Sequence, residues 1–437
     1  MVLQELPPEL IEKILSYLTA IDILRVSLCC QKLRNIANND TVWIECAFRE
    51  YSINLRIKSG DMSTSNLRSS SICTSPKLFT LKILVPFGSN FQELWQLTNF
   101  QYYGGLAKLL YHDWCVYLVL LDPPPHPNTQ KSLQPEIFCR IFLNTEYKKV
   151  SETFVANIKQ STRHDEVPLS MIKTKHSDPI LNSVCGPLAQ LKYDDDNVLA
   201  SFQERFGLRF LDLAAERMHH RIDFLNEKQQ TFRPLKTNNF IPPFCPISPG
   251  IFKGTYSAHG IELVNITYEE DLKTLTGRKV TGDPNVPFDK ISFQAHLDKP
   301  MFLGDEDQTS FENIVKYMTV NENESETEAS SHKELISKFK AQPFKAPYNC
   351  RIDSSIDQKL IKTELWRFQA RCQIAMTGYV EPRFIRGNVI IFSENIFGVI
   401  FIDLQSLGIF ERVTENLYCT HFEDVLQNSP DDVINRY

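Results

Sequence analysis

The 437-residue sequence contains no run of 18 or more apolar residues, so no segment reads as a membrane-spanning helix. It also lacks an excess of basic charge. Lysine and arginine number 47 against 53 aspartates and glutamates, a net charge of -6, whereas general nucleic-acid binding needs a basic face to neutralise phosphates. The opening residues Met1-Val2-Leu3-Gln4-Glu5 have neither the basic start nor the apolar run of a secretory signal, and the expected compartment is cytosol or nucleus. The 11 cysteines are scattered, with only Cys29 and Cys30 adjacent and no CxxC pair. In a reducing compartment they read as buried thiols that pack like small apolar groups. The sequons at Asn265 and Asn323 carry no meaning there, because glycosylation needs the secretory route.

The common catalytic signatures are missing too. There is no HExxH for metal hydrolysis and no GxGxxG or GxxxxGK[ST] for nucleotides. Ser257 and His259 would share a face of an extended strand, but no GxSxG elbow accompanies them. Cys115, Cys139 and Cys372 sit in apolar strands, where a thiol is more often core than nucleophile. The expectation is a chain without catalytic residues, cofactor or metal.

What is present is ordinary globular composition, 42% hydrophobic and 23% charged, with length enough for two or three domains. Residues 5–50 read as short helices. Pro7 and Pro8 suit a first turn, and Leu10, Ile11, Ile14, Leu15 and Leu18 recur at amphipathic spacing. Asp22 is the expected cap of a second helix carrying Ile23, Leu24, Val26 and Leu28. A third spans Leu33, Ile36 and Ala37, and Asp40 or Thr41 caps a short one with Trp43 and Ile44. So much apolar surface on so small a unit implies that one face meets a partner, or packs on the rest of the chain.

The run Leu6-Pro7-Pro8-Glu9-Leu10-Ile11-Glu12-Lys13-Ile14-Leu15-Ser16-Tyr17-Leu18, then Asp22 to Cys29, Leu33-Arg34 and Trp43, resembles an F-box along its whole length. The resemblance implies a three-helix adaptor that docks on Skp1 and through it on a cullin-RING ligase. It also implies that Leu6, Pro7, Ile11, Ile14, Leu15, Leu18, Leu24 and Val26 include the partner-facing residues.

This organisation gives an F-box over 1–50, a linker over 51–77 that is rich in Ser, Thr and Lys, and a β-rich domain over 78–437. Short strands are expected at 79–85, 102–110, 114–121, 137–143, 250–256, 260–266, 279–282, 291–295, 366–376, 388–393 and 397–404, with 410–413 a final candidate. Gly, Pro and Asn separate them, which points to a closed or nearly closed antiparallel barrel. The fold class is thus α+β. A helical insertion is expected at about 196–229, where Leu199, Phe202, Phe206, Phe210 and Leu213 form a stripe of core spacing. The acidic stretch at about 303–345 reads as a disordered insertion.

A second resemblance covers most of this region. Trp95, Tyr102-Tyr103-Gly104-Gly105-Leu106, Asp122-Pro123-Pro124, Pro249 to Gly260, Lys279 to Pro287, and Arg371-Cys372-Gln373 with Gly378 resemble the C-terminal domain of the F-box only protein 31 family. The resemblance implies a ubiquitin-ligase substrate receptor whose barrel binds cyclin D1 and takes short C-terminal segments of clients. The family holds a zinc just after the strand matching Ile137–Leu143. Here only His164, His176 and Cys185 are plausible ligands between Ser151 and Cys185, short of the four a closed structural site needs, and no zinc is expected.

The candidate client-binding residues lie in two glycine-containing stretches. In the first, Lys253, Thr255, Tyr256 and His259 either offer polar groups at a barrel mouth or belong to a turn chosen for its geometry. In the second, Asp283 and Asn285 either close a turn through side-chain-to-backbone bonds or present an acceptor to a client. Two functions follow. One is an adaptor joining Skp1 to a client protein. The other is a free-standing barrel for a small apolar ligand, with the helical N-terminus a packing or dimerisation unit.

Overall fold

A computed structural model of the chain describes residues 5–55, 74–85, 88–98, 100–124, 129–142, 154–158, 169–173, 229–235, 241–271, 273–324, 340–352 and 358–417. Four helices open it: α1 (Pro8–Ser16), α2 (Ala20–Ser27), α3 (Gln31–Ala37) and α4 (Asp40–Tyr51). Two caps differ from expectation by a few residues. Thr19 rather than Asp22 caps α2; its hydroxyl oxygen accepts from the Asp22 N–H at 3.2 Å and its O–H donates to the Asp22 carboxylate at 2.8 Å. Asn39, not Asp40 or Thr41, caps α4, which runs far longer than the short helix expected. The buried Trp43 indole donates to the Ala37 carbonyl at 2.7 Å. The Arg49 guanidinium on α4 reaches back to the Ser16 and Leu18 carbonyls at the end of α1.

The segment expected to be a first strand is helical. Ser75 caps α5 (Pro76–Phe79), with Pro76 in the first turn, and the chain continues through a π-helical turn at Thr80–Leu84. The alternation of apolar residues there serves two faces instead of one sheet face. Phe79, Ile83 and Leu84 join one core, while Leu81 and Val85 pack on the core of α1–α4. Residues 56–73, most of the expected linker, lie outside the described residues.

Most strands fall into two sheets, with two short ones, Gln342–Pro343 and Thr363–Glu364, pairing separately. β1 (Leu94–Leu97), β2 (Leu106–His112), β3 (Cys115–Asp122), β4 (Gln134–Phe142), β5 (Phe154–Ile158), β6 (Leu169–Lys173) and β7 (Gln229–Pro234) form one antiparallel sheet. Its order is β4-β3-β2-β1-β7-β6-β5. The expected helix at 196–229 lies almost wholly outside the described residues, as do His164, His176 and Cys185.

The second sheet is the barrel. It begins with β8 (Gly250–Thr255), β9 (Ile261–Tyr268), β10 (Thr274–Lys279) and β11 (Ile291–Pro300). Helix α6 (Phe311–Glu324) and the short strands β12 (Gln342–Pro343), β13 (Arg351–Ile352) and β14 (Thr363–Glu364) follow. β15 (Trp366–Met376), β16 (Val380–Ile391), β17 (Ile396–Phe401) and β18 (Ser406–Arg412) complete it. β18 pairs back onto β8, which closes eight antiparallel strands with no free edge along the pairing order.

Aromatic rings fill the interior. Phe397 and Phe410 stack with centroids 4.7 Å apart, and Phe293 meets both edge-on at 5.7 and 5.4 Å. Gly254 is required by this packing, since a Cβ there would sit 2.1 Å from the Phe410 ring.

The acidic stretch from 303 does not begin as a disordered insertion. Ile314 and Met318 of α6 are buried against Ile390, Ile400 and Ile409 on the outside of the barrel. The buried Arg367 holds the segment in place, donating to Glu364 at 2.6 and 3.0 Å and to Gln308 at 3.2 Å. Residues 325–339, which carry much of the acidic run, lie outside the described residues.

Candidate functional site

The N-terminal helices present two apolar faces. Ile11 and Leu15 on α1, Ile23 on α2 and Trp43 on α4 are fully buried in a common core. A second α1 stripe, Leu10, Ile14 and Tyr17, is 50%, 40% and 68% exposed. On α2 the exposed Ile21, the partly buried Leu24 and the end residue Leu28, which is 74% exposed, repeat the same spacing. Residues at i, i+3 or i+4 and i+7 share a helix face, so each helix carries an inner and an outer stripe. Among the expected partner-facing residues, Ile11 and Leu15 therefore belong to the core. They cannot reach a partner unless the domain opens. Ile14 and Pro7 are exposed, and Leu6, Leu18, Leu24 and Val26 are partly buried. Leu10, Tyr17, Ile21 and Leu28 were missed, although their spacing against 11, 15 and 18 could have separated the two stripes.

At one end of the barrel the candidate client residues meet a buried charge cluster. The Lys279 ammonium lies 2.5 Å from an Asp283 oxygen, 2.6 Å from a Glu262 oxygen and 4.2 Å from the Tyr256 ring centroid. Glu262 and Lys279 are each 1% exposed. Burial raises the Glu262 carboxyl well above its ordinary range; Lys279 opposes this, and the Asp283 charge reinforces it. Burial acts in the same sense on Asp283, but there it is outweighed by the Lys279 and His259 charges and by hydrogen bonds from Glu262 and Lys279. The Asp283 carboxyl is held below its usual range, and Lys279 is held above. Glu262 is thus pushed toward its neutral form, and Asp283 and Lys279 toward their charged forms. Tyr256 is pushed up by burial and by Glu262, and its hydroxyl shares a hydrogen bond with Ser292 at 2.7 Å.

Asp283 also closes its own turn, accepting from the Asn285 and Val286 N–H groups at 2.6 and 2.9 Å. Its oxygens are thus engaged within the protein. Asn285 donates to the Ala375 carbonyl at 2.8 Å and leaves its own buried amide oxygen unpartnered. His259 stands 3.9 Å from Asp283 and is partly exposed. Lys253 and Thr255 are not part of this cluster. Lys253 is buried and donates to the Lys131 carbonyl at 2.7 Å, tying the barrel to the loop before β4. The Thr255 hydroxyl oxygen accepts from the Ile409 N–H at 3.0 Å, a bond within the barrel wall.

The turn at 281–290 is clamped from both sides. The Gly282 and Phe288 N–H groups donate to the Tyr103 and Tyr102 carbonyls at 2.9 Å, and the Tyr379 N–H donates to Pro284 at 2.8 Å. An open groove beside it is lined by Gln101, Tyr102, Pro287, Phe288, Asp289 and Lys290. Stretches far apart in sequence, around 102, 283 and 378, are brought together here. Groove residues such as Lys290 and the neighbouring Tyr379, whose ring centroid the Lys290 ammonium approaches to 5.2 Å, carried no sequence signal.

Residues 3–45 match the F-box domain family, and residues 231–416 match the cyclin D1 binding domain family. The chain carries both matches and resembles F-box only protein 31. It is 24% identical to that protein from Rattus norvegicus, with 94% of this chain and 84% of the relative covered. Identity to the Homo sapiens protein is also 24%, over 94% and 83%, and to F-box only protein 31-B of Xenopus laevis 23%, over 98% and 87%. The F-box match ends within α4, and the second match takes in β7 and the barrel. Strands β1–β6 fall between the two.

The described residues contain no helix long and apolar enough to cross a membrane and no group of three or more His, Cys, Asp or Glu placed to hold a metal. Cys115 and Cys372 are buried, and burial pushes the Cys372 thiol up.

Proposed function

We propose that this protein is the substrate-recognition subunit of a Skp1–cullin–F-box ubiquitin ligase. In this reading α1 and α2 dock on Skp1, the barrel end takes a client, and ubiquitin transfer is carried out by other subunits. The observation that carries it is the outer apolar stripe, Leu10, Ile14 and Tyr17 with Ile21, Leu24 and Leu28, on a domain whose inner stripe already builds a complete core. Such a surface on a small helical unit fits a groove in a partner. The client site is the groove at 101–102 and 287–290 together with His259, Asn285 and the turn that Asp283 holds. The family description supports clients of the cyclin type; in this reading they are taken through short C-terminal segments and sent for degradation. The protein itself supplies geometry: it raises the local concentration of client lysines at the transfer enzyme.

The alternative, a barrel for a small apolar ligand, has no room to operate, because Phe252, Phe293, Phe397 and Phe410 occupy the interior. Co-purification with Skp1 tests the adaptor reading. The full chain is expected to form a stoichiometric complex. Two buried aliphatic contacts are worth about 4 kcal/mol, so an Ile14→Asp, Leu28→Asp double variant is expected to bind roughly a thousandfold more weakly. Equal recovery of Skp1 with the double variant would remove the adaptor reading.

A further inference from the structure

β15 and β16 outrun their neighbours. β11 accompanies β15 only as far as Cys372, and β17 accompanies β16 only from Gly387, where the chain leaves the sheet as the short turn Ile402–Leu404. Gln373–Met376 and Val380–Arg386 therefore project as a two-stranded ribbon. On the outer face, Arg371 stands opposite Arg386 at the base of the ribbon, and Gln373 stands opposite Phe384 on the ribbon itself. Like charges facing each other across a sheet repel, so this pairing is costly on its own.

Arg371 is nonetheless fixed in place. Gln294 accepts from its Nε and Nη2 at 2.9 and 2.6 Å, and the Gln294 amide donates to the Thr276 hydroxyl at 3.1 Å. The guanidinium lies 4.9 Å from the Phe384 ring centroid. Among the described residues its hydrogen bonds go to a neutral amide and no ion pair reaches it. Arg386, and Arg383 opposite Ile374 on the other face, make no hydrogen bond or ion pair among the described residues, and both are exposed. Phe384 is 41% exposed. Glu381 at the tip is the one acidic residue between 371 and 386 in a chain whose net charge is -6.

Arginines and a proline on an exposed edge can simply keep two copies from pairing, and that accounts for Pro382 and Arg383. It does not account for Arg371, whose fork is aimed by the buried Gln294. We propose that the outer face of this ribbon binds an acidic, extended segment of a client polypeptide, with client carboxylates on Arg371 and Arg386 and a client side chain on Phe384. The proposal rests on the client-receptor reading above and gives it a chemical class of client. Arginine forks match carboxylates bidentately, and an extended chain repeats side chains on one face at strand spacing. A nucleic-acid backbone suits the site less well, because Arg371 already covers one face of the Phe384 ring and the overall charge repels a polyanion.

The test uses the purified full chain and fluorescence anisotropy with three labelled probes: a decapeptide alternating Glu and Ser, its Gln-Ser counterpart, and a single-stranded oligothymidine of equal length. The Glu-Ser peptide is expected to bind, weakening with salt, and to outcompete both other probes. Arg371→Glu and Arg386→Glu are each expected to weaken it about tenfold or more, the order set by losing a charge-assisted bond, with Gln294→Ala losing a few-fold. Charge reversal at Lys345, outside the ribbon, is expected to change nothing, and circular dichroism checks that each exposed variant is folded. Equal binding of the two peptides, unchanged binding in the Arg371→Glu, Arg386→Glu double variant, or tighter binding of the oligonucleotide would each overturn the proposal. Skp1 recovery in the same variants separates the two ideas: it stays intact if only the ribbon proposal fails, and it is absent from wild type if the receptor reading fails.

Discussion

Lys279 keeps a full positive charge where almost no water reaches it, and two carboxyls make that tolerable. They do so unequally. The unfolded chain ionises a glutamate above its ordinary value of 4.5, whereas burial, opposed by Lys279 and helped by Asp283, keeps the proton on Glu262 to much higher pH. Above 4.5 the unfolded state therefore releases a proton that the native state retains. Each pH unit in that window costs native stability about 1.4 kcal/mol. Glu262→Gln removes the linkage. Relative to wild type, the variant is expected to gain stability progressively as the pH rises above 4.5, read from urea unfolding at several pH values. A difference independent of pH would show that Glu262 is ionised in the fold. Asp283 behaves oppositely: its lowered value contributes stability above its ordinary 3.8 that is lost as the pH falls. Asp283→Asn leaves Lys279 short of a counter-charge while its amide oxygen can still accept the two turn N–H groups, an expected loss of about 3–5 kcal/mol at neutral pH.

At the scale of elements, the barrel core depends on one strand position having no side chain. The Cβ of a Gly254→Ala variant would fall 2.1 Å from the Phe410 ring, which is itself stacked on Phe397 and cannot retreat. The expected cost is about 1–3 kcal/mol, read as a lower urea midpoint with an unchanged slope. Gly254 was legible in the sequence only as a residue that eases a turn, because its ring neighbour lies 156 positions away. Most strands from 250 onward were legible as apolar stretches bounded by Gly, Pro or Asn, but at 279–282, where one was expected, the chain leaves β10 (Thr274–Lys279) for a turn. Those at 79–85 misled for a physical reason: Phe79, Leu81, Ile83 and Val85 alternate, but the helix uses both sets, one against each of two cores. The acidic composition after residue 303 likewise hid Ile314 and Met318, two apolar residues at helical spacing that hold α6 on the barrel. Of the candidate client site, the turn at 281–287 was visible, while Lys290 and Tyr379 were not, since they acquire meaning only when distant loops meet.

Across the whole molecule the F-box is not a bead on a linker. Ala47 of α4 and the following Ile53 and Leu55 share one core with Phe79, Ile83, Leu84, Trp95, Trp114 and Phe232. The Lys77 ammonium also lies 5.9 Å from the Trp43 ring centroid. The N-terminal helices are therefore packed against the sheet, which in the proposed reading sets where a client at the barrel end sits relative to Skp1. Substitutions on the two stripes of α1 should consequently differ in kind. Ile14→Asp is expected to melt within about two degrees of wild type, as surface changes do, while losing Skp1. Leu15→Asp buries a charge in the core and is expected to unfold the helices. A chain begun at Pro76 makes the sharper test. It strips Ala47, Ile53 and Leu55 from the shared core and uncovers Phe79, Ile83 and Leu84, each worth about 1.5–3 kcal/mol of burial. It is expected to elute as aggregate in size-exclusion chromatography and to lose its cooperative thermal transition. If it stayed monomeric with an unchanged transition, the F-box would be an independent unit, and the shared core would not set the path from Skp1 to client.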